Sequence, residues 1–272
     1  MHIRKVATRY GKMFVLASDQ VISKSLVEYG EWSHGEIALL ERFIKPGMKV
    51  LDIGANVGSH TLAFSKAVGP TGLVLAFEPQ PMIFGLLAAN VIENNAANVL
   101  AFNAAVGSAP GWLDMPNINY AQPNNYGALR MSPFLAGQEQ EVNRTPVPVH
   151  RLDDLKAAAS AHVIKIDVEE MEASVLAGAR GLIAKSRPIM LVENELPGEA
   201  SEAALKLLFE MEYDVYWQAA SIFDPNNFNH NKKNMFQKQA CLNMFALPRE
   251  SPIQINGNKA TSVSDHPRKP AR

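Results

Sequence analysis

Val50-Leu51-Asp52-Ile53-Gly54-Ala55-Asn56-Val57-Gly58 decides the fold: an apolar run of strand length enters a glycine-bearing turn, and a helical pattern begins beyond it. Glycines let a backbone turn sharply and approach a ligand closely. Working outward, Val57, Phe64 and Val68 share a helix face with Thr61. Further short runs at Leu73–Phe77, Val163–Ile166 and Ile189–Val192 are predominantly apolar rather than alternating. Such runs suit strands covered on both faces, as in a parallel sheet. Helical spacing lies between and after them, in Ile83, Leu86, Leu87 and Val91, in Val175, Leu176, Ala179, Leu182 and Ile183, and in Ala204, Leu207, Leu208 and Met211. Strand and helix in alternation predict a doubly wound α/β sheet.

Composition narrows the class. Of 272 residues, 47% are hydrophobic and 19% charged, which supplies a sizeable core and excludes a disordered or fibrous chain. Lys and Arg number 26 against 27 Asp and Glu, so the net charge is −1. No global basic field invites nucleic acid or anionic lipid, and no nucleic-acid partner is expected. A single cysteine, Cys241, excludes an internal disulfide and a cysteine-based zinc cluster. No run approaches the roughly 20 apolar residues of a membrane helix. The charged N-terminus is not followed by an apolar core of signal-peptide length. A cytoplasmic chain with no membrane span is expected.

Two regions break the rhythm. Residues 107–150 are rich in Asn, Pro, Gly and aromatics, among them Trp112, Tyr120, Tyr126 and Phe134. Long structureless loops are uncommon unless functional, so this insertion is expected to hold short antiparallel strands and to wall a binding site. Residues 249–272 carry prolines and polar side chains with almost no apolar period, and are expected to be disordered.

The turn lies where open α/β sheets bind ligands, at a strand's C-terminal end. Glu78 closes the next strand 20 residues after Gly58, placed to accept hydrogen bonds from both hydroxyls of a ribose. A dinucleotide wants G-x-G-x-x-G, but the second and third glycine positions hold Asn56 and Ser59. Asp52 would also sit close to a pyrophosphate, and like charges repel. S-adenosylmethionine has no phosphate and carries a sulfonium and an ammonium, so nearby carboxylates help. The pattern favours S-adenosylmethionine over NAD.

The run VLDIGANVGSHT, then AFEPQP, NAAVG at Asn103–Gly107, RLDDL, IKIDVEEMEASVLAGA and PIMLVENE resembles the FkbM methyltransferases from about Gly35 to Leu247. The resemblance implies a class I, Rossmann-like methyltransferase: a mostly parallel seven-stranded sheet with an antiparallel final strand and a β-rich insertion. It implies a methyltransferase domain over 37–248, preceded by a segment, 1–36, that caps the cofactor site. It also implies S-adenosylmethionine as cofactor and O-methylation of a hydroxyl on a sugar, lipid or secondary-metabolite acceptor. Asp52, Gly54, Asn56 and Gly58 match the loop for the methionine end, Glu78 the ribose acid, and Pro79 with Gln80 the border of the adenine. Asn103 and Ala104 match the segment lining the adenine; a turn amide is the other reading of Asn103. The family carries Asp-Val-Glu-Gly where this chain has Asp167-Val168-Glu169-Glu170, so a side chain and a charge replace a glycine.

The chemistry asks for positioning of the acceptor and for removal of its proton. Asp167, Glu193 and His60 are the candidate catalytic residues. Asp167 could instead contact the methionine ammonium or cap a helix, and His60 could be a helix-surface imidazole. Glu31, Trp32, Glu169 and Glu172 are candidates for the substrate side; Glu31 and Trp32 could equally anchor packing. No metal is expected, although Asp167, Glu169 and Glu193 could hold Mg²⁺ through hard oxygens. An NAD-linked oxidoreductase and a non-catalytic cofactor-binding module are the alternatives.

Overall fold

The computed structural model describes residues 2–129, 144–255 and 257–268. It opens on a hairpin of β1 (Ile3–Thr8) and β2 (Gly11–Leu16), followed by helices α1 (Ile22–Tyr29) and α2 (His34–Glu41). Then β3 (Lys49–Ile53), α3 (Ser59–Val68), β4 (Leu73–Phe77), α4 (Pro81–Glu93) and β5 (Val99–Phe102) run as successive β-α-β units. Strands β6 (Ala105–Val106), β7 (Gly111–Pro116) and β8 (Arg144–His150) form a small side sheet. The chain continues through β9 (Val163–Ile166), α5 (Glu172–Gly178), α6 (Arg180–Ser186), β10 (Ile189–Glu193) and α7 (Glu199–Glu210). It finishes with β11 (Tyr213–Ser221), β12 (Ala240–Pro248) and β13 (Asn258–Lys259).

The main sheet has the order β13-β11-β12-β10-β9-β3-β4-β5. Strands β5, β4, β3, β9 and β10 are parallel; β12 runs antiparallel to β10, and β11, antiparallel to β12, returns to the direction of the core strands. The chain leaves β3 toward β4 and β5, then returns to β9 on the other flank. That reversal opens a crevice at the C-terminal ends of β3 and β9. Alternate residues explain the continuous apolar runs: Val50 and Val74 face one core with Phe64 and Leu87, while Leu51 and Leu75 face the other with Leu176 and Leu205. Both faces are covered, so nothing in these strands needs to be polar. Lys165 in β9 and Asp52 in β3 are the buried exceptions.

The sheet departs from the expected seven strands because the tail contributes an eighth. Asn258 and Lys259 pair with Trp217 and Tyr216 on the outer edge of β11, and the Ala260 amide donates to the Val215 carbonyl. His266 is buried against Trp217, ring centroids 4.9 Å apart. The described part of the tail is therefore ordered, not disordered. Backbone pairing with an edge strand asks little of the side chains, so a polar, proline-bearing composition does not prevent it.

In the insertion, β7 pairs antiparallel with β8, Leu113 opposite Val147, and β6 pairs parallel with β8. Tyr126 is buried; Phe134 lies outside the described residues. Among the described residues, no helix is long and apolar enough to cross a membrane.

Candidate active site

The glycine turn is held by close contacts. The amides of Gly54 and Ala55 both donate to the Phe77 carbonyl, which ties the end of β3 to the end of β4. Gly54 has φ 80°, and a Cβ there would fall 1.7 Å from the Asp167 carbonyl oxygen. Only glycine allows the turn to touch the exit of β9. Asn56 follows at φ 48°, a left-handed conformation that asparagine tolerates.

Glu78, just past β4, is 3% exposed. Its carboxylate accepts the Asn56 amide at 3.0 Å and the Gln80 amide at 2.8 Å. Burial pushes it up to about 7, against the pull of those two amides. These groups line a cavity of about 580 Å³, together with Ala104, Ala105 and Val106.

At the other side of the cavity stand Asp167, Glu169 and Glu193, each offering an oxygen within 4.8 Å of the others. Lys165 reaches them from inside the sheet. Its ammonium donates to the Gly54 carbonyl at 2.8 Å and lies 3.0 Å from Asp167 Oδ2 and 3.6 Å from Asp52 Oδ1. Burial would strip the charge from Lys165, but Asp167 and Asp52 outweigh it and raise its pKa. Burial likewise favours protonated Asp167, yet the Lys165 charge and a hydrogen bond with Glu193 hold it below the ordinary carboxylate range. Glu193 goes the other way: burial and the Asp167 and Glu169 charges push it well up. A proton is thus easier to place on Glu193 than on Asp167. Lys165 sets a cation beside these three carboxyls, 3.0 Å from Asp167.

His60, near the start of α3, is buried rather than on the helix surface and lines the cavity. Its Nε2 lies 3.2 Å from Glu36 Oε2, and Asn243 donates to Glu36 Oε1 at 2.7 Å. Trp32 lines the same cavity.

Several expected site residues sit elsewhere. Asp52 is fully buried off the cavity, accepting the Thr61 hydroxyl at 2.6 Å and facing Lys165. Gly58 caps α3 at φ 92°, where a Cβ would strike Leu87 at 2.7 Å. Asn103 is the turn amide, donating to the carbonyls of Glu78 and Pro79. Glu31 is buried in a structural clasp, accepting Arg9 at 2.7 Å and the Phe228 amide at 3.0 Å. Glu172 turns back on its own loop and accepts the Val168 amide at 3.3 Å. Within that loop Glu169 has φ 52° and Glu170 φ 75°. Glu170 therefore stands where a glycine is at home, and it is exposed and off the cavity lining.

Lys165, Glu36 and Asn243 are site features that motif reading missed. A lone lysine inside the apolar run Val163–Ile166 was the available signal for the first. Glu36 and Asn243 are 207 positions apart and carry no local pattern.

A glycine turn after the first core strand, an acid closing the second and a crevice at the sheet's reversal define a Rossmann-like fold of the class I methyltransferase type. The chain belongs to the FkbM methyltransferase family: the model of the methyltransferase FkbM domain matches residues 52–215. It is similar to the 31-O-demethyl-FK506 methyltransferase FkbM of Streptomyces tacrolimicus, 28% identical over 158 residues, which is 50% of this chain and 60% of that protein. The chain thus spans less than two thirds of that relative's length. A methyltransferase FkbM structure from Methylobacillus flagellatus aligns with TM-score 0.46 and 15% identity, over 73% of this chain and 43% of that one. An S-adenosylmethionine-dependent O-methyltransferase structure from Thermotoga maritima aligns with TM-score 0.48 and 14% identity, over 92% and 79%.

Proposed function

We propose that this chain is an S-adenosylmethionine-dependent O-methyltransferase that methylates a hydroxyl of a small-molecule, sugar or lipid acceptor. The observation that carries the reading is Glu78, a buried acid at the end of β4 whose carboxylate is fixed by the glycine turn and lines the cavity. The residues fit the cofactor. The turn leaves bare backbone at Gly54, Ala104–Val106 offer a small apolar wall, and about 580 Å³ is ample for a ligand of this size.

S-adenosylmethionine, when bound, supplies an activated methyl group on a sulfonium. In this reading Glu78 accepts the ribose hydroxyls, and Pro79, Gln80 and Ala104 border the adenine. Asp167, kept ionised by Lys165, faces the ammonium of the methionine end. Glu193 and His60 sit on the acceptor side with Glu169 and Trp32. Glu193, pushed well up by burial and its acidic neighbours, and the Glu36-bound imidazole of His60 are the candidate acceptors of the hydroxyl proton.

Calorimetric titration with S-adenosylmethionine and NAD tests the cofactor, and an acceptor panel with labelled methyl donor tests the transfer. NAD binding without S-adenosylmethionine binding would overturn the reading. Tight cofactor binding with no transfer across the panel would favour a non-catalytic module.

A further inference from the structure

The segment 257–268 lies beyond the residues that match the family model, which end at 215, yet it reaches the same cavity. Its course is fixed at three points. At the sheet edge, Lys259 pairs with Tyr216 and places its ammonium 2.8 Å from Asp214. In the middle, His266 stacks edge-on against Trp217 and its Nε2 meets the Asn194 carbonyl at 3.1 Å. At the far end, the Arg268 guanidinium donates to the Glu195 carbonyl and the Ala240 carbonyl, each at 3.0 Å, and forms an ion pair with the Glu195 carboxylate. Glu195 is itself fixed, because its other oxygen accepts the Leu242 amide at 2.6 Å.

Glu195 and Arg268 both line the cavity, beside Leu196, Ala240 and Cys241. Glu78 and the glycine turn belong to the cofactor half; Glu195 stands two residues past Glu193, in the half assigned to the acceptor. Resting on the function proposed above, we propose that the segment 257–268 is a wall of the acceptor chamber. Arg268, clasped to Glu195 and Ala240, sets the size of acceptor that enters. Neither residue needs to touch the reacting atoms. The clasp acts by keeping the strap against the chamber mouth, so Arg268 and Glu195 are specificity-determining rather than catalytic.

Cys241 is a built-in reporter. It is the single cysteine of the chain, lines the chamber and follows the residue whose carbonyl holds Arg268. Alkylation of its thiolate by iodoacetamide forms the S–C bond and releases iodide, and the rate reads how often the chamber admits a small neutral molecule. A maleimide carried on a long polyethylene glycol reads admission of a large one. Arg268→Ala and, separately, His266→Ala are expected to raise the iodoacetamide rate roughly tenfold by releasing the strap, and the bulky-maleimide rate by more. Arg180→Ala breaks a surface pair with Glu210 away from the cavity, and should leave both rates at the wild-type value. S-adenosylmethionine affinity of Arg268→Ala, by calorimetry, should stay within about twofold of wild type. Wild-type rates in both strap variants would overturn the proposal. So would a roughly tenfold loss of cofactor affinity in Arg268→Ala, which would put the arginine in the cofactor half. If wild type fails to bind S-adenosylmethionine, the methyltransferase reading falls, while the Cys241 rates still decide whether the strap walls the chamber.

Discussion

Glu78→Gln separates the cost of a buried charge from the role of that charge. The wild-type carboxyl releases its proton near 4.5 when exposed and at about 7 in the fold. Between those values the folded state binds more protons than the unfolded one, so this group's contribution to stability falls as pH rises. Below 4.5 there is no deficit; above 7 the deficit is complete and amounts to about 3 kcal/mol. Glutamine has no such titration. Its amide nitrogen must instead face the N–H of Asn56 or of Gln80, a mismatch of about 1–3 kcal/mol at every pH. The variant should therefore be the less stable protein at pH 4. Between pH 4 and pH 8 the gap should move by about 3 kcal/mol in the variant's favour, closing or reversing. Glu172, also pushed up to about 7 by burial, titrates in the same window, but it does so in both proteins and cancels in the difference. Urea unfolding at pH 4, 6 and 8, with matched slopes, measures the gap. A gap that stays constant across that range would refute the reasoning, because Glu78 would then ionise without cost.

Under the proposed function, wild-type cofactor affinity should weaken as pH drops below 7, because protonated Glu78 loses acceptor capacity, and the Gln variant should lack that dependence in calorimetry. Lys165→Met strands Asp52 and Asp167 without their cation; unfolding should come about 3–5 kcal/mol sooner, and a loss below about 1 kcal/mol would mean water reaches those acids. Glu170→Gly relieves a left-handed backbone at φ 75° and should hold or raise stability by up to about 1 kcal/mol despite the added chain entropy; a clear loss would argue against the strained loop. Glu31→Ala should cost about 2 kcal/mol through Arg9 and the Phe228 amide, with cofactor affinity unchanged; a roughly tenfold affinity loss would return Glu31 to the binding site. Asp167→Asn should stay folded but turn over more slowly, and a wild-type rate at saturating acceptor would make Asp167 structural.

The parallel core was legible because burial on both faces leaves strands such as Leu73–Phe77 with no polar position to confuse the pattern. Gly54 and Glu78 were legible because backbone close approach and a strand-end acid each demand a particular residue type at a particular spacing. Asp52 was misplaced for a physical reason: its motif position is right, but a cation 113 positions later in the chain claims it, and pair formation across that separation leaves no local trace. The Glu36–His60 contact and the Arg268 clasp are invisible for the same reason. The tail misled because composition reports side-chain burial, whereas its hold on β11 is made by backbone pairing, one imidazole and the Lys259–Asp214 ion pair.

Strand β13 has a consequence for how molecules meet one another. Strand β11 runs for nine residues at the outside of the sheet, and a long open edge is a template on which a second chain can build. Two residues of the tail cover its middle and set a lysine there, salt-bridged to Asp214. A short, charged border of this kind makes a poor seed for intermolecular β-pairing. Losing the tail should therefore make concentrated solutions of this protein prone to aggregate even where the remaining fold is intact.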